Sequence, residues 1–176
     1  MNPAPLVVLM QAYTYNFTLQ NSHVPMMDTD ALEFMLADPS EDTVVFDVRS
    51  KDEFVISHVP GAARINPGIS YNRLVQYMNQ FEFSPKSRIV FYCALGGRAL
   101  DAAEKMITIL RDKSKPLSKV LTPDRVFCVP GGIFKWANEM RPMVDIWNVP
   151  TIYVHPVNDG VGIYLDNKYW RKTGVL

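Results

Sequence analysis

Two short runs constrain this chain more than any other feature. Residues 43–48 (TVVFDV) and 88–92 (RIVFY) are nearly continuous stretches of β-branched and aromatic residues, without the alternation of a strand that has one wet face. Such strands are buried on both sides, which calls for a parallel sheet with helices above and below it. The intervening sequence supplies the helices. "DTDALEFMLAD" offers Asp28 or Asp30 as an N-cap and stops near Pro39. "KDEFVIS" reads as one or two helical turns halted by Pro60-Gly61, and "AARIN" (62–66) as a short strand. Residues 71–81 put Leu74, Tyr77, Met78 and Phe81 on one helical face. From Arg98 to Arg111, Leu100, Ala103, Met106, Ile107 and Leu110 recur at three- and four-residue spacing. "RVFCV" (125–129) is a further strand, and Pro130-Gly131-Gly132 turns into the short helix "IFKWANEM". "VNDGVGIYLDN" near the C-terminus reads as a turn and a strand. Strands alternating with helices predict an α/β fold with a largely parallel sheet.

Composition narrows the function classes. Hydrophobic residues make up 48% and charged residues 20%, enough for one sizeable core, and no apolar run approaches the ~20 residues of a membrane span. A formal net charge of zero argues against nucleic acid, and no membrane contact is expected. Charge is nonetheless uneven. Residues 1–48 hold seven acids and no Lys or Arg, while the remainder holds all 18 basic residues against 11 acids. A mildly basic body suits a small anionic substrate, and equally a solvated face with charges paired between segments. The N-terminus has neither a basic region before its apolar stretch nor an Arg-rich presequence. With two cysteines and no C-x-x-C, the expected setting is reducing, the cytoplasm first and the mitochondrion as alternative. His23, His58 and His155 are far apart, so neither a metal site nor a cofactor is expected.

The chemistry concentrates in "FYCALGGRA" (91–99). In a parallel α/β sheet the strand ends that lead into helices form the ligand face. Cys93 sits at such an end, and Ala94, Leu95, Gly96 and Gly97 connect it to a helix that begins near Arg98. The two glycines permit a loop that curls and turns its N–H groups inward. Inward N–H groups and a helix N-terminus together favour a thiolate, and Arg98 adds a cation able to bind an anion with two hydrogen bonds. No adjacent histidine is required. On this stretch alone, two readings stand open: a buried structural thiol and a nucleophile.

Three motifs in order resemble the rhodanese domain family. "FDVRSKDEFVISHVPGAARIN" (46–66) is similar to the first half of such domains, "VFYCALGGRA" (90–99) to their C-x-x-G-x-R active loop, and "VFCVPGGIFKW" (126–136) to their closing GG-x-x-x-W. The resemblance implies a rhodanese-like domain over 27–142 with a five-stranded parallel sheet flanked by helices on both faces. An N-terminal extension (1–26) and a C-terminal extension (143–176), expected to pack on the domain, lie outside it. It further implies a sulfurtransferase in which Cys93 becomes a persulfide. The donor would be a small sulfur anion such as thiosulfate, and the acceptor a thiol, cyanide or a protein. Ala94, Leu95, Gly96, Gly97 and Arg98 would bind substrate. Asp47 and Arg49 would support the loop or form a structural ion pair with Glu53. His58 would fix a turn; Trp136 and Cys128 would be packing, and Leu95 would set pocket polarity. Family members often carry a hydroxyl residue after the arginine, where this chain has Ala99. Phosphatases and arsenate reductases of the same fold have C-x5-R, usually after a histidine; here the spacing is C-x4-R after Tyr92, which favours sulfur transfer. A non-catalytic interaction module is the alternative from another class.

Overall fold

The computed structural model describes residues 3–172; the outermost residues of both extensions, 1–2 and 173–176, lie outside the described residues. An N-terminal helix α1 (Pro3–Gln20) precedes α2 (Thr29–Ala37), β1 (Thr43–Asp47), α3 (Lys51–Ile56) and β2 (Ala63–Arg64). Next come α4 (Tyr71–Met78), β3 (Arg88–Tyr92), α5 (Gly97–Arg111), β4 (Val126–Cys128), α6 (Gly132–Asn138) and the short α7 (Asp159–Gly162). Local chemistry sets several boundaries. The Asp28 carboxylate caps α2 by accepting the Ala31 N–H at 2.7 Å. Ser50 and Glu53 form a reciprocal capping box at the start of α3.

The sheet is parallel, in the order β2-β1-β3-β4. It has four strands, not the five expected. Residues 24–27 run beside β4 where a fifth would lie, but only Cys128 engages them. Its N–H donates to the Pro25 carbonyl and its carbonyl accepts the Met27 N–H, both at 3.0 Å. Pro25 has no N–H to extend the ladder and β4 is three residues long, so pairing stops at one bridge. The C-terminal "VNDGVGIYLDN" forms α7 rather than a turn and strand. The Asn158 side chain accepts the Val161 N–H at 2.9 Å and starts a helical turn there.

Two apolar layers enclose the sheet. On one face Phe46 and Phe91 stack beneath Leu74 and Met78 of α4 and Ala103, Met106 and Leu110 of α5. On the other, Val45, Val90 and Tyr92 meet Met10 of α1, Leu32 of α2, and Ile133, Phe134 and Trp136 of α6. The second layer continues into the tail, where Met143, Val154, Leu165 and Tyr169 are buried. His58 and Val144 exchange backbone hydrogen bonds at 2.8 and 3.0 Å, tying the tail to the H-V-P-G turn. None of the described helices is long and apolar enough to cross a membrane.

Candidate active site

β3 ends at Tyr92, and Cys93 follows it at the C-terminal edge of the sheet. The Cys93 Sγ accepts the Gly96 N–H at 3.1 Å, so the loop curls back onto its own sulfur. The curl depends on a partner that the sequence motifs do not reveal. The Ile133 N–H donates to the Cys93 carbonyl (2.9 Å), the Phe134 N–H to the Ala94 carbonyl (3.2 Å) and the Gly131 N–H to the Leu95 carbonyl (2.7 Å). In a trans peptide the C=O and the following N–H point in opposite directions. With three successive carbonyls turned toward the start of α6, the N–H groups of Ala94, Leu95 and Gly96 face the other way. The Pro130-Gly131-Gly132 turn therefore aims the cysteine loop. The contact is close: a Cβ on Gly132 would lie 2.2 Å from the Cys93 carbonyl oxygen.

The two loop glycines do different things. Gly96 has φ +136°, a backbone that side chains resist, and lies beneath the Phe17 ring of α1. Gly97 is the first residue of α5, has no such φ, and a Cβ there would meet nothing within 4 Å. The expectation that both glycines enable the curl holds only for Gly96.

Arg98, in the first turn of α5, is not poised alone. Its two terminal nitrogens donate to the two carboxylate oxygens of Glu53 at 2.7 and 2.8 Å. Burial would raise the Glu53 carboxyl, but the hydrogen bonds and charge of Arg98, with the charge of Arg49, hold it down at about 2. Burial would lower Arg98, and the same carboxylate raises it instead. Glu53 thus ties the start of α3 to the start of α5, from 45 residues away in sequence.

That pairing corrects the one expected for Glu53. Arg49 pairs with Asp47: its Nε lies 2.9 Å from Oδ1 and its Nη2 2.6 Å from Oδ2, with a further bond to the Ser57 carbonyl. Both side chains are fully buried. Asp47 also accepts the Tyr92 hydroxyl at 2.6 Å, and that hydroxyl accepts the Val59 N–H at 3.0 Å. The cluster holds the residue immediately before Cys93. Burial, and then the Asp47 charge, keep the Tyr92 phenol protonated well beyond its ordinary range. His58 stacks on Phe54 and meets the Phe54 carbonyl through Nδ1 at 3.1 Å; burial pushes its ring toward the neutral form.

Cys128 is fully buried, and burial followed by the Cys93 charge raises its thiol. Its register partner is Phe91, two residues before Cys93. The Cys128 thiol meets the Gly96 carbonyl at 3.7 Å, on the loop that wraps the Cys93 sulfur, and both cysteines are free thiols.

A family model for the rhodanese-like domain matches residues 28–139, and the chain belongs to that family. Among solved structures, the BH2092 protein from Bacillus halodurans superposes with a TM-score of 0.53 at 18% identity, covering 84% of this chain and 96% of that one. The rhodanese-like domain of the Alr3790 protein from Anabaena sp. gives 0.50 at 19% identity over 69% and 80%. Thiosulfate sulfurtransferase from Pseudomonas aeruginosa gives 0.52 at 15% identity; this chain is covered over 77% of its length, and that protein over only 23%. These are similarities of fold. No curated protein matches the chain.

Proposed function

We propose that the protein is a sulfurtransferase that carries a sulfane sulfur on Cys93, from a donor such as thiosulfate to a thiol, cyanide or protein acceptor. The observation that carries this reading is the loop geometry. The Cys93 sulfur accepts the Gly96 N–H at 3.1 Å while the carbonyls of Cys93, Ala94 and Leu95 are turned outward to α6. An anionic sulfur in that cradle is stabilised, and it keeps the same stabilisation when a second sulfur extends it. In the first half-reaction the Cys93 thiolate attacks the outer sulfur of thiosulfate. A new S–S bond forms as the donor's S–S bond breaks, and sulfite leaves with the electron pair. In the second, the acceptor's lone pair attacks the outer persulfide sulfur and Cys93 leaves as thiolate. Arg98, its guanidinium paired with Glu53, fixes the start of α5 against α3 beside the loop.

Incubation with thiosulfate followed by intact-mass measurement should show one added sulfur, absent in Cys93→Ser, and the loaded protein should form thiocyanate from cyanide. No adduct with any sulfane donor would sink this reading. A second reading, a non-catalytic interaction module, is favoured by the 2% exposure of Cys93. Partner capture that survives Cys93→Ser, without sulfur turnover, would support it.

A further inference from the structure

Residues before 28 lie outside the family match, yet α1 reaches the cysteine loop. The Phe17 ring rests on Gly96, 2.9 Å from where a Cβ would sit. Tyr13, one turn earlier, stacks on Phe17 with centroids 5.8 Å apart, and Tyr164 from the C-terminal tail lies 5.0 Å from Tyr13. Thr14 packs against Gly131 in the turn that aims the loop. Tyr13 also feels Cys93: burial, and then the Cys93 charge, push its phenol to about 12. Beside these rings a groove of about 390 Å³ follows one face of α1, lined by Leu9, Tyr13, Asn16, Phe17, Gln20 and Tyr164. No charged side chain among the described residues lines it, and residues 3–20 contain no Asp, Glu, Lys or Arg. The arginines below are already engaged, Arg98 by Glu53 and Arg49 by Asp47.

We propose that α1 is a wall of the active site and its specificity element: Phe17, Tyr13 and Tyr164 admit to Cys93 sulfur compounds with a flat, uncharged body, and disfavour bare oxyanions. The proposal rests on the sulfur-transfer reading of Cys93 and narrows its donor class. A small anion entering this groove loses hydration without meeting a counter-charge, whereas an aromatic body stacks on the rings.

Two alkylating agents test the wall without requiring sulfur transfer. Phenacyl bromide and bromoacetate react by one displacement: the Cys93 S–C bond forms, the C–Br bond breaks and bromide leaves. Rates at Cys93 are read by peptide mapping, which separates it from Cys128, and each is divided by its rate with glutathione. The wild type should prefer phenacyl bromide by at least ~10-fold, and Phe17→Ala should bring the preference close to one. Asn16→Lys changes an exposed groove position, so folding is not at stake; it should speed bromoacetate by about fivefold. A wild-type preference near one, or one that neither variant moves, overturns the proposal. The same protein is then loaded from benzenethiosulfonate or thiosulfate, which release benzenesulfinate or sulfite as Cys93 takes the outer sulfur. Faster loading from benzenethiosulfonate supports the wall, and equal or slower loading overturns it. If alkylation shows the preference and neither donor loads, the wall stands and sulfur transfer falls.

Discussion

Cys93 lies between a floor and a roof that are built in opposite ways. The floor is polar and locked. Asp47, Arg49 and Tyr92 form a buried hydrogen-bonded cluster under the end of β3, and the start of α6 holds three loop carbonyls. The roof is apolar and uncharged: the Phe17 ring of α1 rests on Gly96, Tyr13 stacks on Phe17, and Tyr164 of the tail lies against Tyr13. A hydrogen-bonded floor with few alternative arrangements fixes where the sulfur sits. A roof of apolar packing contacts has more alternative arrangements than a hydrogen-bonded floor, so it governs what reaches the sulfur. Chemistry should therefore be sensitive to floor substitutions and selectivity to roof substitutions.

The largest effect is expected from Gly132→Ala. The new Cβ would lie 2.2 Å from the Cys93 carbonyl oxygen at a backbone φ of +48°, so either the loop or the turn must move. Overpacking of this kind costs about 3 kcal/mol, short of abolishing the fold. A shift of about 1 Å in the cysteine loop should slow sulfur loading ~100-fold. Denaturant melts and single-turnover loading check both numbers. Unchanged loading in a folded Gly132→Ala protein would mean that the start of α6 does not aim the loop.

Next comes the ion pair at the junction of α3 and α5. Despite burial, Arg98 and Arg49 hold the Glu53 carboxyl down at about 2 in the fold, against ~4.3 in the unfolded chain, and its side chain is 5% exposed. A depressed acid stabilises the fold above its unfolded value, and that stability is lost as pH falls through its folded value. The ionised Glu53 carboxylate, through Arg98 first and then Arg49 and the Ser50 N–H, should contribute on the order of 3 kcal/mol at neutral pH, disappearing between about pH 4.3 and 2. Urea melts across this window should show the slope in wild type and a shallower one in Glu53→Gln. An identical slope in the variant would place the acid sensitivity elsewhere.

The floor was largely legible in the sequence and the roof was not, for identifiable reasons. Strands at 43–48 and 88–92 declare themselves because burial on both faces leaves an unbroken apolar run. The C-x-x-G-x-R and GG-x-x-x-W stretches mark the two ends of the floor, although only the structure reveals that one holds the other's carbonyls. Helix α1 has apolar and uncharged residues on every side, so it lacks the contrast from which a helical period is read. Which acid meets which base is invisible along the chain. Glu53 lies four residues from Arg49 and 45 from Arg98, yet it hydrogen-bonds the distant one. The fifth strand fails on a detail of single residues, a proline without an N–H beside a three-residue β4.

The smallest effect is the sharpest probe of where floor and roof meet. Gly96 and Gly97 are adjacent, but only Gly96 has a backbone that resists side chains and a ring directly above it. Alanine at Gly96 must strain the loop and lift Phe17, at a cost of ~1–3 kcal/mol, and should loosen the preference between neutral and anionic alkylating agents. Alanine at Gly97 enters open space at the first position of a helix, where it is a better helix former by up to ~1 kcal/mol. Gly97→Ala should thus leave loading and selectivity unchanged and melt at the wild-type denaturant concentration or slightly above it. The contrast between the two variants is the prediction. If both alanines lower stability alike and leave selectivity alone, Phe17 does not rest on the loop in solution, and the distinction between a fixed floor and a selecting roof fails at its point of contact.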